Sequence, residues 1–283
     1  MPEGDTVWRT AGRLHEALAG KPIIEADLRW PQIATADLTG RHTLQVVARG
    51  KHLLHRISGG LTLHSHLRME GQWRLEATPT LPDRWRRSTE LRALVAAADW
   101  TALGLRLGML DLVPTDREHE LVGHLGPDLL GADWDEDRAV DNLLTSGAPL
   151  GQALLDQRNL AGLGTLWTAE TLFLERLPPW RPARELGRDA IERVVARARR
   201  LLLNARSDVI QSSTGSFRKG ETTYVHGRSG RPCRRCGGTV RVALIGDPTR
   251  ERTMFYCPRC QGGLGPTDDG RPQQPLGAGS RRR

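Results

Sequence analysis

The chain has 283 residues, enough for two domains and a sizeable buried core. Its 41 lysines and arginines exceed 33 acidic residues, a net charge of +8 that favours a polyanionic partner without establishing one. The longer apolar runs, such as 94–98 and 242–245, fall far short of the roughly 20 residues of a membrane span, so no membrane partner is expected. The opening Met1-Pro2-Glu3-Gly4-Asp5 has no basic-then-apolar stretch, and a cytoplasmic location is expected. Nearly all the positive charge is arginine; the lysines are Lys21, Lys51 and Lys219.

Val7, Ala11, Leu14 and Leu18 recur at helical spacing and predict one amphipathic helix, with Asp5 and Thr6 available as caps. Short apolar or alternating runs follow at 23–28, 43–47, 52–57, 61–66, 91–97 and 105–113, the pattern of an antiparallel sandwich or barrel. After Pro114 the spacing turns helical again, at 134–144, 150–157, 165–177 and 189–203. In the last of these Ile191, Val194, Val195, Ala198, Leu201 and Leu202 form a core-facing stripe. Residues 215–231 are polar, basic and glycine-containing, and read as a loop. From about 262 the chain is rich in Gly, Pro and Gln and ends Arg281-Arg282-Arg283, a composition that predicts disorder.

All four cysteines lie late in the chain, as Cys233-x2-Cys236 and Cys257-x2-Cys260. Two such knuckles can place four thiolates on one tetrahedral ion, so one structural zinc is expected, with disulfides or a redox pair as the alternatives. The intervening chain reads as a hairpin, 239–245 and 253–256 around Gly246-Asp247-Pro248. Arginines crowd this region, and guanidinium groups pair well with phosphate oxygens. Four thiolates would close the coordination sphere and leave no position for activating water.

Removal of Met1 would expose Pro2 as a secondary α-amine. An α-amino group has a pKa of about 7.7–8.0, so a useful fraction is neutral and nucleophilic at cellular pH. Condensed with an aldehyde-like carbon it gives an iminium, an electron sink for elimination. Without further context, a second-position proline is an ordinary processing signal and Glu3 a helix-start carboxylate.

Four separated segments occur together and in order: Pro2-Glu3-Gly4-Asp5-Thr6-Val7, Arg49-Gly50-Lys51-His52-Leu53, Leu155-Asp156-Gln157 with Ala161-Gly162-Leu163-Gly164, and the cysteine hairpin. Together they resemble the formamidopyrimidine-DNA glycosylase and endonuclease VIII family of base-excision repair enzymes over about residues 2–261, most like the endonuclease VIII branch in its actinobacterial type. The resemblance implies an α+β multidomain fold: an N-terminal β-sandwich with an opening helix (1–115), a helical helix-two-turn-helix domain (116–215), and a zinc-binding β-hairpin (228–262). A disordered tail (263–283) would follow.

By the same resemblance Pro2 is the Schiff-base nucleophile, Glu3 supplies protons during ring opening and base loss, and Lys51 contacts the phosphate of the reacting nucleotide and assists elimination. Arg252 grips the phosphates flanking the lesion, and Glu170 faces the N-terminal amine. Met69, in His66-Leu67-Arg68-Met69-Glu70-Gly71, is the apolar side chain that fills the space left by a flipped nucleotide. Thr165 stands where the family has asparagine, which implies weaker backbone binding, and the 103–110 segment has no clear match to the relatives' opposite-strand wedge. The implied activity is a bifunctional DNA glycosylase and abasic-site lyase for oxidised pyrimidines, with no redox cofactor, working as a monomer on double-stranded DNA. The alternative is a catalytically weak or inactive damaged-DNA-binding protein on the same scaffold.

Overall fold

Helix α1 (Gly4–Leu18) begins directly after Glu3, whose extended backbone (φ −119°, ψ −174°) makes it the N-cap and whose carbonyl accepts the Val7 amide at 3.0 Å. The cap is therefore earlier than Asp5 or Thr6; Asp5 lies buried in the first turn, where an acid complements the helix dipole. The buried stripe is the expected one, Val7, Ala11, Leu14 and Leu18, and it packs α1 on a sheet. The computed structural model describes residues 2–275, and the chain forms two compact units, Met1–His124 and Leu125–Arg283.

The first unit continues through β1 (Glu25–Leu28), β2 (Thr43–Arg49), β3 (His52–Ile57), β4 (Leu61–His66), β5 (Gln72–Ala77), α2 (Asp83–Arg86), β6 (Leu91–Ala96), β7 (Trp100–Leu105), β8 (Met109–Pro114) and α3 (Glu118–Val122). Two antiparallel four-stranded sheets form, in orders β1-β6-β7-β5 and β2-β3-β4-β8. Leu53, Ile57 and Leu63 from one sheet and Leu28, Val95 and Ala102 from the other share one core with α1, which makes a sandwich. The 105–113 run corresponds to β8, which starts only at Met109; Leu105 closes β7, a strand the apolar runs did not announce, and Arg106, at a left-handed φ of 48°, lies in the turn between them. Strand β5 carried no apolar run to announce it; it is an edge strand, with Gln72 and Arg74 turned to solvent.

The outer face of the β2-β3-β4-β8 sheet is covered at one end by α3. Arg56 on β3 donates to both Glu118 carboxylate oxygens (2.8 and 2.7 Å), and Thr62 on β4 donates to the same carboxylate at 2.5 Å. A buried carboxylate with three donors is well compensated, and it fixes where the chain leaves the sandwich.

The second unit holds α4 (Glu136–Thr145), α5 (Leu150–Leu155), α6 (Thr165–Leu174), α7 (Ala183–Leu186), α8 (Arg188–Ala205), β9 (Arg241–Ile245) and β10 (Arg252–Tyr256). Asp135 caps α4 by accepting the Arg138 amide at 2.9 Å. The predicted α8 stripe is buried against α4 and α6. The β9–β10 hairpin is not a separate body: Ala169 and Phe173 of α6 share a core with Val240, Ile245, Met254 and Phe255.

Residues 263–275 do not fit the expectation of disorder, because their polar groups are satisfied on the hairpin. Asp268 accepts from Arg241 and, at 2.6 Å, from the Tyr256 hydroxyl, while the Gln273 amide pairs with both the N–H and C=O of Val242 at 2.8 Å. The rest of that expectation, 276–283, lies outside the described residues.

Candidate active site and metal centre

Pro2 stands two residues before the start of α1, next to its N-cap. Its neighbour Glu3 is 0 % exposed, an unusual place for a carboxylate at a helix start. Lys51 lies in the β2–β3 turn and is half-buried. Met69 is 62 % exposed in the β4–β5 turn, which removes core packing as its role. That turn is strained: Arg68 adopts φ 56°, which costs about 1–3 kcal/mol for a non-glycine residue. It also needs Gly71, where a Cβ would lie 2.4 Å from the Leu67 carbonyl oxygen. Beside it, the Arg106 guanidinium approaches Glu70 at 3.7 Å.

Sequence reading missed a cleft of about 390 Å³ on the outer sheet face, lined by His52, His64, His66, Arg68, Met109 and His124. His64 and His66 alternate along β4 and so share a face, and His52 is the cross-strand partner of His66. Burial, with the nearby His66, His64, His124 and Arg68, pushes His52 down to about 3. Burial and the Arg68 and Lys51 charges push His66 down to about 4. On the inner face His55, buried and bonded to Thr43 Oγ1 at 2.8 Å, is pushed down to about 4 by burial alone.

These imidazoles fold neutral. Below the ordinary value of 6.5 the unfolded chain takes up protons that the folded chain refuses, so stability is full above 6.5 and lost as pH falls toward 4. For fully buried His55 the loss is on the order of 3 kcal/mol. Thermal melts of the wild type should show this acid slope, and His55→Leu should flatten it; equal slopes in both would remove His55 as the cause.

In the second unit, α5 and α6 are joined by a turn built around Gln157. Its amide donates to the Leu155 and Leu163 carbonyls (3.0 and 2.9 Å) and its oxygen accepts the Gly162 amide at 3.0 Å. Gly162, at φ 104°, is in a conformation that side chains rarely adopt. Thr165 opens α6 and is 8 % exposed, so its hydroxyl sits at the helix N-terminus, where backbone amides and the dipole favour an anion. Glu170 follows on α6, fully buried. Its carboxylate accepts the Ser213 hydroxyl and the backbone amides of Tyr224, Val225 and His226 at 2.8, 2.9 and 2.8 Å. Burial pushes this carboxyl up while the four donors pull it down. Within its own unit, then, Glu170 anchors both ends of the 213–226 loop.

Arg252 is exposed at the start of β10, opposite Ile245. The four cysteine sulfurs converge within 4.8 Å of one another. The Cys233–Cys260 and Cys236–Cys257 pairs stand 4.0 and 3.5 Å apart, too far for S–S bonds and close to the roughly 3.8 Å edge of a tetrahedral zinc–thiolate site. The donor set fits a structural ion, and Cys233, Cys236, Cys257 and Cys260 are the residues that could hold it.

Comparison with known proteins agrees with this architecture. Residues 1–105 match the formamidopyrimidine-DNA glycosylase N-terminal domain and residues 125–216 the H2TH domain of the same enzymes. The chain is 50 % identical over 274 residues to a probable endonuclease 8 2 of Streptomyces coelicolor, covering 96 % of this chain and 98 % of that one. It is 43 % identical to the DNA-(apurinic or apyrimidinic site) lyase Nei2 of Mycolicibacterium smegmatis, covering 92 % and 99 %. A Lactococcus lactis formamidopyrimidine-DNA glycosylase bound to DNA containing an abasic site superimposes with a TM-score of 0.76 at 26 % identity, covering 92 % of this chain and 100 % of that one. With identity at this level spanning nearly the whole chain, and both family domains present in order, the protein belongs to the formamidopyrimidine-DNA glycosylase and endonuclease VIII family of DNA glycosylases and abasic-site lyases.

Proposed function

We propose that the chain is a bifunctional DNA glycosylase and abasic-site lyase that removes oxidised pyrimidines from double-stranded DNA through an N-terminal proline Schiff base. The observation that carries this reading is the Pro2-Glu3 pair at the head of α1, with Glu3 wholly buried at the helix N-cap. After Met1 is removed, the Pro2 nitrogen attacks the deoxyribose anomeric carbon of a flipped nucleotide. Glu3 delivers a proton as the C–N bond to the base breaks and the sugar ring opens, which leaves an iminium. Loss of a C2′ proton expels the 3′ phosphate, and a second elimination expels the 5′ phosphate, so a one-nucleotide gap is left with phosphate on both sides.

The cations serve the DNA. Lys51 neutralises the phosphate of the reacting nucleotide, Arg252 holds those beside it, and Thr165 offers one hydroxyl where an amide would offer two donors. Met69 occupies the vacated stack, for which exposure on a strained turn suits it. One zinc in the cysteine hairpin keeps the strand bearing Arg252 in place. The protein acts as a monomer in the cytoplasm; among the described residues no helix is long and apolar enough to cross a membrane.

Borohydride reduction of the wild-type protein mixed with an abasic-site duplex tests the reading. A covalent protein–DNA adduct is expected, lost when Met1 is retained. Failure to trap, with DNA binding intact, would favour the non-catalytic binding protein, to which the departure at Thr165 points.

A further inference from the structure

The arginines of the first cysteine knuckle, expected from the sequence to meet phosphate, are committed to backbone carbonyls. In Cys233-Arg234-Arg235-Cys236, the Arg235 guanidinium donates to the Phe173 carbonyl of α6 at 2.9 Å and lies over the Phe173 ring, 4.3 Å from its centroid. Arg234 reaches the 213–226 loop instead: its Nε donates to the Thr223 carbonyl at 3.1 Å and its Nη2 to the Gly220 carbonyl at 2.7 Å. Arg228 brings a second donor to Gly220 at 3.2 Å, and its other Nη donates to the Pro232 carbonyl, beside the knuckle, at 3.0 Å. A carbonyl oxygen has two lone pairs, so these two guanidinium groups saturate that of Gly220.

The loop itself is cross-braced. The Ser213 amide donates to the Thr222 carbonyl at 2.9 Å, the Thr214 hydroxyl to the Glu221 carbonyl at 2.7 Å, and the Ser216 hydroxyl to the Glu221 carboxylate at 2.9 Å. These bonds join its two arms, and the tip, Phe217-Arg218-Lys219-Gly220, is exposed throughout. Glu170 fixes the base of both arms, through Ser213 and residues 224–226. Arg228 and Arg234 tie down the tip, at Gly220.

We propose that Arg234, assisted by Arg228, is a positioning residue that holds the loop tip in place before DNA arrives, and not a phosphate contact. The exposed tip sets one aromatic ring beside two cations, which suits an unstacked nucleotide: a ring stacks on the base while the cations meet its phosphates. A tip already in place spares the entropy of ordering a flexible loop at the moment of binding. Without Arg234, affinity falls according to the fraction of time the tip is out of place, while the contacts in the bound state stay the same. That DNA is the partner rests on the reading above; the hydrogen bonds that hold the tip do not.

The test begins with hydrogen exchange of the DNA-free, zinc-loaded full chain. Arg234→Ala is expected to accelerate exchange at the Gly215, Ser216 and Glu221 amides, which are bonded within the loop, by about 10–100-fold. The 224–226 amides, held by Glu170, should stay protected. Arg228→Ala, outside the knuckle, should act in the same direction by about 3–10-fold, so the outcome does not hang on a variant next to the cysteines. Arg234→Lys, a point charge without the planar fork, should restore only part of the protection. Binding is then measured to a duplex carrying a stable abasic-site analogue. Arg234→Ala should weaken it by about 3–10-fold, with the slope of log affinity against log salt unchanged. Unaltered exchange in both alanine variants would overturn the proposal, as would a slope smaller by about one, the mark of a lost phosphate contact. Faster exchange with undiminished affinity would overturn it equally, since a loop that DNA does not use needs no positioning. Exchange and binding are read without base removal, so a failed borohydride trap leaves both outcomes standing.

Discussion

Replacing Glu3 with glutamine is expected to slow removal of an oxidised pyrimidine by about 10²–10⁴-fold, the span lost when one positioned acid–base group is removed. Glutamine keeps the shape of the side chain, and the cap at residue 3 depends on the main-chain carbonyl, so α1 should form as before. What disappears is a proton deliverable to the leaving base and ring oxygen. The Pro2 amine is untouched, so borohydride trapping on a preformed abasic site, whose open aldehyde form needs no proton on a leaving base or ring oxygen, should persist. Single-turnover rates on lesion and abasic duplexes measure the split. Equal losses on the two substrates would instead place Glu3 in amine positioning, and no loss on either would remove it from the chemistry.

Glu170→Ala is expected to give the largest stability loss, on the order of 4 kcal/mol, because several buried donors lose their acceptor together. The Tyr224, Val225 and His226 amides and the Ser213 hydroxyl all end on this carboxylate, and Tyr224 also stacks on Phe173 with ring centroids 5.4 Å apart. Removing it should release the 213–226 loop, which carries exposed Phe217 at its centre, before it unfolds the unit. Hydrogen exchange at the 224–226 amides should accelerate, and denaturant midpoints should fall. A stability change within about 0.5 kcal/mol would mean that the carboxylate is replaceable by water and does not anchor the loop.

Much of the N-terminal unit was readable because its signals are local. Helical spacing located α1, and β3 and β4 begin and end where their alternating runs do. The cysteine quartet was readable for the same reason: a C-x2-C knuckle brings two sulfurs together whatever the rest of the chain does. Strand β5 escaped because an edge strand with one solvated face carries no apolar run, and β7 escaped because it lies between the runs at 91–97 and 105–113, the second of which begins at the turn where Arg106 goes left-handed.

The 263–275 strap was misread for a different reason. Its composition is that of a disordered tail, and its order comes from polar satisfaction: the Asp268 side chain is 0 % exposed, paired with Arg241 and Tyr256. Hydrogen-bond complementarity of this kind leaves no trace in hydrophobic periodicity. The histidine cleft shows the same limit. His52, His64 and His66 are visible one by one, but only strand register sets them on one face and seats Asp111 behind His64.

The primary sequence alone carried the family, the order of the domains, the candidate N-terminal pair and the thiolate set, because each depends on residue identity and short spacing. Only the tertiary structure decided which carboxylates are buried and to what end, with Glu3 at a helix cap, Glu170 under a loop and Glu118 beneath Arg56. Burial and hydrogen-bond partnership are set by segments far apart in the chain: a carboxylate in a helix reads the same on paper whether water or four buried donors surround it.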